Sequence, residues 1–210
     1  MEILKNFIVF EGIDGSGTTT QINILEKFFL HAPQPLPTFY KTFEPTDSSI
    51  GRIIRSALRK EITLRPETAA LLFAADRNEH LYGYDGVAER CANGELVVSD
   101  RYVPSSLVYQ GLLCGEELPA ALNKDFPAPE MLFFFDIDPE IAQKRMAGRE
   151  IKEIYEFLEF QIQVRRRYDT VIRQFADHGV TVVTLDATRP ADEVAKHVWM
   201  ALQKLPIIKR

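Results

Sequence analysis

The stretch Phe7-Ile8-Val9-Phe10-Glu11-Gly12-Ile13-Asp14-Gly15-Ser16-Gly17-Thr18-Thr19-Thr20-Gln21 decides the reading of this chain. Phe7 to Phe10 are aromatic or β-branched and read as a buried strand, and Gln21 to Leu30 reads as a helix. Between them Gly12, Gly15 and Gly17 let successive backbone N–H groups curl inward, an anion nest at a helix N-terminus. Ser16, Thr18 and Thr20 complete the loop, and Thr19 falls where the hydroxyl of a phosphate loop ligates Mg²⁺. The pattern wants lysine at position 18, and Thr18 breaks it.

Outward from that loop, short apolar runs alternate with helical stretches. Phe39 to Phe43 is a second, weaker strand after the Pro-rich loop Pro33 to Pro37. Leu96 to Ser99, Met131 to Phe135 and Val180 to Leu185 are three more. Fully apolar runs bounded by turn residues, with helices between, mean a parallel sheet covered on both faces. Asp138-Pro139 opens a helix through Arg149, and Arg65-Pro66-Glu67 opens another over Thr68 to His80. The expected architecture is α/β: one domain over residues 1–210 with a doubly wound, five-stranded parallel sheet.

The chain of 210 residues carries a formal charge of −5, which argues against a nucleic-acid polymer as partner but not against a small phosphorylated ligand. Cys91 and Cys114 make neither a disulfide framework nor a metal cluster, and both read as buried thiols. With no signal segment and no membrane-length apolar run in the sequence, the expected location is the cytoplasm. Asp100-Arg101-Tyr102 follows the third strand, at the edge where open α/β sheets bind ligands. There a carboxylate can reach Mg²⁺ or its waters, and a guanidinium can grip a phosphate through two parallel bonds.

Four stretches together resemble the thymidylate kinase family of P-loop nucleoside-monophosphate kinases, over nearly the whole chain. They are Glu11 to Gly17, Glu44-Pro45-Thr46-Asp47-Ser48-Ser49-Ile50-Gly51, Leu71-Leu72-Phe73-Ala74-Ala75-Asp76-Arg77, and Asp100-Arg101-Tyr102 through Ser105 to Gly111. The resemblance implies transfer of the γ-phosphoryl of ATP to dTMP with Mg²⁺, in a homodimer. It implies that Phe73 stacks on thymine while Arg77, one helical turn on, donates to a thymine carbonyl. It further implies that Asp14 accepts from the 3′-hydroxyl and that Tyr109 crowds the 2′ position. Ser105, Ser106 and Gln110 would read the base edge, Arg101 would hold the dTMP phosphate, and Asp100 would serve the metal. Glu44 would lie close to the metal or the sugar.

A short helical lid is expected at roughly 145–157, bearing an arginine for the ATP phosphates. Arg149 is the first choice and Arg145, on the same helix face, the second. The Arg165-Arg166-Arg167 run reads as a solvated helix face, and Asp186-Ala187-Thr188-Arg189 resembles the loop that borders adenine. Besides Thr18, Phe43 departs from the resemblance, standing where many members carry arginine. Thr18 leaves two outcomes open: Arg149, Arg145 or Lys144 fills the lysine's space, or the protein binds nucleotides with weak or no turnover in a regulatory role. A kinase acting on another pyrimidine monophosphate is the third reading.

Overall fold

Apolar strands buried on both faces organise the chain. A computed structural model describes residues 1–147, 155 and 157–209. In chain order the elements are β1 (Ile3–Gly12), α1 (Thr18–Leu30), β2 (Phe39–Phe43), α2 (Ser49–Leu58), α3 (Pro66–Tyr82), α4 (Val87–Ala92), β3 (Leu96–Asp100), α5 (Val103–Cys114), α6 (Glu117–Asn123), β4 (Ala128–Asp136), α7 (Pro139–Met146), α8 (Leu158–Asp177), β5 (Thr181–Asp186) and α9 (Ala191–Leu202). The five strands form one parallel sheet in the order β2-β3-β1-β4-β5.

The sheet explains why the central strands are apolar at consecutive positions. Phe7 to Phe10, Leu96 to Val98 and Leu132 to Phe133 are wholly buried, whereas the edge strands β2 and β5 stay partly exposed. A strand covered on one face alternates; one covered on both has no polar side. Phe10 lies 5.1 Å from Phe133 and 5.0 Å from Phe135 between ring centroids, knitting β1 to β4.

The helix starts follow local chemistry. Asp138 accepts from the Glu140 amide at 2.8 Å and Pro139 takes the first turn of α7. The described part of α7 ends at Met146, and Arg149, with most of the expected lid, lies outside the described residues. The arginine run on α8 departs from expectation. Arg165 donates to Asp136 at 2.8 and 3.0 Å, and Arg167 pairs with Glu116 at 2.6 Å, leaving Arg166 as the solvated member. The cause is tertiary, since α8 packs against α5 and the end of β4 and brings carboxylates within reach. Cys91 is buried, but Cys114 is only half-buried.

Truncating the central ring tests the sheet's dependence on this packing. Phe133→Ala is expected to lower unfolding free energy by about 3–5 kcal/mol in urea titrations; a loss below about 1 kcal/mol would contradict the packing described here.

Candidate active site

After β1 the chain turns towards β3 and β2, and after β3 it crosses to β4, so loops diverge above the carboxyl ends of β1 and β3. Such a switch point opens a crevice. Phe10 stands beside Asp100 in the register, and the Arg101 amide donates to the Phe10 carbonyl at 2.9 Å. Arg101 then adopts φ 74°, a left-handed conformation that turns its side chain off the strand line. Its guanidinium donates to Asp14 at 2.5 Å, to the Gly12 carbonyl and Ser105 Oγ at 3.2 Å, and to the Tyr109 hydroxyl at 3.4 Å.

Two cavities meet at this point. One, of about 510 Å³, is walled by the glycine loop, by Arg145 of α7 and by Arg189 after β5. The other, of about 460 Å³, runs from Phe43 and Arg55 to Phe73, Arg77 and Gln110. Asp14, Thr19, Asp100 and Arg101 line both. Thr19 Oγ1 donates to Asp100 Oδ2 at 2.5 Å.

The loop's donors are free for an anion. Gly17 caps α1 at φ 94° and has no side chain to satisfy the first turn, so the amides of Thr18, Thr19 and Thr20 have no partner among the described residues. Gly15, at φ 83°, sits so close to α7 that an added Cβ would lie 2.7 Å from the Ala142 carbonyl. This contact brings α7 and Arg145 to the rim of the nest. Thr18 lines the nest without supplying charge, whereas Arg145, exposed and without an ion-pair partner among the described residues, lines the same cavity.

In the second cavity Phe73 is half-buried, and Arg77 is buried to 1% exposure rather than lying on a solvated helix face. Arg77 donates to Glu44 at 2.9 and 2.6 Å, to Ser106 Oγ at 3.0 Å, and to Asn123 Oδ1. Of the five guanidinium N–H groups one, on Nη1, has no partner among the described residues. Gln110 lies 3% exposed, and its Oε1 has no hydrogen-bond partner among the described residues. Glu44 lines the cavity but spends Oε2 on Arg77 and Oε1 on His80 Nδ1 at 3.0 Å, so it reaches a ligand through Arg77.

Several contributors escape a reading of the sequence. Asp76 lashes the loop after β2 to α3, accepting from the Thr46 amide (2.7 Å) and hydroxyl (2.6 Å) and from Ser48 Oγ (2.7 Å). Its place inside the Phe73–Arg77 motif was a usable signal. His80, one turn past Asp76, joins Thr42 to Glu44. Gln161, on α8, donates to Asp14 Oδ2 at 2.9 Å and to the Tyr155 carbonyl at 2.7 Å, with no local pattern to mark it. Glu11 is wholly buried and accepts from the Tyr102 amide (2.9 Å), the Ser105 amide (3.2 Å) and hydroxyl (2.7 Å), and the Tyr168 hydroxyl (2.9 Å). Burial pushes its carboxyl up to about 7, against the opposing pull of Arg101 and those hydrogen bonds.

A family profile described as Thymidylate kinase matches residues 10–198. A Treponema pallidum relative is 40% identical over 100% of both chains. One from Pyrobaculum aerophilum is 39% identical over 95% of this chain and 97% of its own, and one from Methanococcus maripaludis is 38% identical over 98% and 99%. All three carry the words thymidylate kinase in their names.

The raised Glu11 carboxyl gives a pH dependence of fixed sign. Its ordinary value is 4.5, so the stability that the neutral acid contributes is complete below that pH and is lost as pH rises through about 7. Between pH 5 and 8.5 the native protein is expected to lose about 2–3 kcal/mol relative to Glu11→Gln, which keeps the side chain's shape and cannot ionise. Parallel denaturation curves for the two proteins across this range would contradict the assignment.

Proposed function

The chain belongs to the thymidylate kinase family, and from that premise we propose how its residues move a phosphoryl group from ATP to dTMP. It is an ATP-dependent nucleoside-monophosphate kinase that converts dTMP to dTDP. The observation that carries the site reading is the junction of two cavities at Asp14, Thr19, Asp100 and Arg101. The donor nucleotide takes the side with the glycine loop, the acceptor takes the side with Phe73, and the phosphoryl group crosses between them.

On the acceptor side, the free N–H of Arg77 and the orphaned Oε1 of Gln110 match a thymine edge, which offers a carbonyl acceptor and an N–H donor. Phe73 packs on the ring. Asp14 retains lone pairs for the 3′-hydroxyl, Tyr109 crowds the 2′ side, and Ser106 and Ser105 hold Arg77 and Arg101 in place. Arg101 aligns the dTMP phosphate, which is already a dianion near neutral pH and needs no general base.

On the donor side, the amides of Thr18, Thr19 and Thr20, which have no partner among the described residues, cradle the ATP phosphates. Arg145 supplies the cation that Thr18 does not, with Arg149 as the lid arginine that closes over the transferring group and keeps water out. Ala187 and Arg189 border the adenine end. The Thr19 hydroxyl and Asp100 carboxylate are hard oxygen donors of the kind Mg²⁺ takes beside substrate phosphates. When bound there, the ion neutralises charge developing on the phosphates. The reading includes a single domain with its lid, a homodimer and a cytoplasmic location. Exposed Leu71 and Tyr82 on α3 support the dimer, and free Cys91 and Cys114 suit a reducing compartment. No helix among the described residues is long and apolar enough to cross a membrane.

Two assays test the two sides. Arg145→Ala is expected to cut kcat for dTDP formation by about 10²–10³, while Thr18→Lys in the native background gains less than about threefold; near-native turnover in Arg145→Ala would remove that residue from the chemistry. With dCMP as acceptor, mismatching Arg77 and Gln110 should lower kcat/KM about 10²–10⁴-fold relative to dTMP. Equal use of dCMP and dTMP would overturn the base-edge reading.

A further inference from the structure

Arg77 meets Glu44 in a form that the chemistry of the pair does not favour. A guanidinium and a carboxylate pair most strongly through two parallel bonds, one to each oxygen. Here Nε, at 2.9 Å, and Nη2, at 2.6 Å, converge on the single oxygen Oε2. The other oxygen is taken, with His80 Nδ1 lying 3.0 Å from Glu44 Oε1. A carboxylate can only accept, so the imidazole donates, and in the neutral ring Nε2 is left to accept from the Thr42 hydroxyl at 2.6 Å.

His80 is held from the sheet side. Thr42 lies on β2 opposite Ser99 of β3, and the Glu44 amide continues that ladder by donating to the Asp100 carbonyl at 3.0 Å. Thr42 and Glu44 are two residues apart and share one side of the extended chain, so one ring bridges them. The His80 side chain is 9% exposed and lines neither cavity. Without its donor, Glu44 Oε1 would be a buried acceptor with no partner among the described residues, a state that the parallel fork would relieve. Forming that fork turns the guanidinium in its own plane and carries Nη1 away from Asn123 Oδ1, the contact that now aims it.

We propose that His80 is a positioning residue that determines acceptor-base specificity. By occupying Glu44 Oε1 it denies Arg77 the parallel fork and keeps the Nη1 donor turned to the base edge. It acts through Glu44 and Arg77, and Thr42 is its anchor. The inference rests on the base-edge reading above and adds the residue that fixes its geometry.

The experiment measures kcat and KM for dTMP and for dCMP in the native protein, His80→Leu, His80→Asn and Thr42→Val, with thermal unfolding to check each fold. Leucine fills the space without a donor, whereas asparagine places an N–H where Nδ1 stands. His80→Leu is expected to lower kcat/KM for dTMP about 10- to 100-fold, through KM rather than kcat, because a base-edge contact is made equally in ground and transition states. The value for dCMP, which lacks the carbonyl that Arg77 meets, and the KM for ATP should stay within about threefold of native. His80→Asn should restore most of the preference for dTMP. Thr42→Val keeps the strand and should lower that preference about 3- to 10-fold, which tests the relay even where His80→Leu does not fold. Equal losses for dTMP and dCMP would overturn the proposal by showing a purely structural role. So would native preference in folded His80→Leu or Thr42→Val, or an asparagine variant as impaired as the leucine one. Failure of the underlying reading has a different signature, native protein that uses dCMP as well as dTMP.

Discussion

The carboxylate of Glu11 joins three stretches of chain that are far apart in sequence. It sits at the end of β1, one residue before the glycine loop, and it accepts from the turn that opens α5 and from Tyr168 of α8. An acceptor with four donors and no water contact fixes the angles at which all three leave it. Arg101 occupies the turn so defined, and its left-handed backbone is maintained because both flanks are anchored. The position of Arg101, the residue proposed to hold the acceptor phosphate, is therefore set by a buried acid that lines neither cavity.

The same economy governs the acceptor cavity. Glu44 and Arg77 are almost wholly buried, and a buried ion pair adds little net stability over apolar side chains of similar volume. What the pair provides is orientation: with four of its N–H groups committed, Arg77 offers the cavity a single donor in a fixed direction. His80 and Asp76 extend that restraint to the strand and loop behind Glu44. Polar groups held this way suit the proposed reading of one base edge, because they have no freedom to turn to another.

Much of the sheet was legible from residues 7–21, 96–99 and 131–135, because strands buried on both faces have only apolar positions and advertise themselves. The edge strand at Phe39–Phe43 gave a weaker signal for the matching reason, as half its surface meets water. The glycine loop was legible because glycine most readily accepts the left-handed angles found at positions 15 and 17. Contacts between distant side chains were not legible. Gln161 meets Asp14 across 147 residues of sequence, and Arg165 meets Asp136 only because α8 lies across the end of β4. Thr18 could be seen as a missing charge, but which cation stands at the nest depends on where α7 docks, and no local pattern states that.

The close approach of Gly15 to the Ala142 carbonyl also bears on how this protein could have evolved. A lineage that loses its loop lysine can restore the charge most directly by a substitution within the loop itself. Here position 15 is closed to every side chain by its backbone angle and by the carbonyl opposite, and Ser16 is buried. Those two positions are thereby closed to a cation, while position 18 itself stays open. On the proposal that Arg145 supplies the charge, that charge is a property of helix docking, and selection on activity would act on the packing of α7.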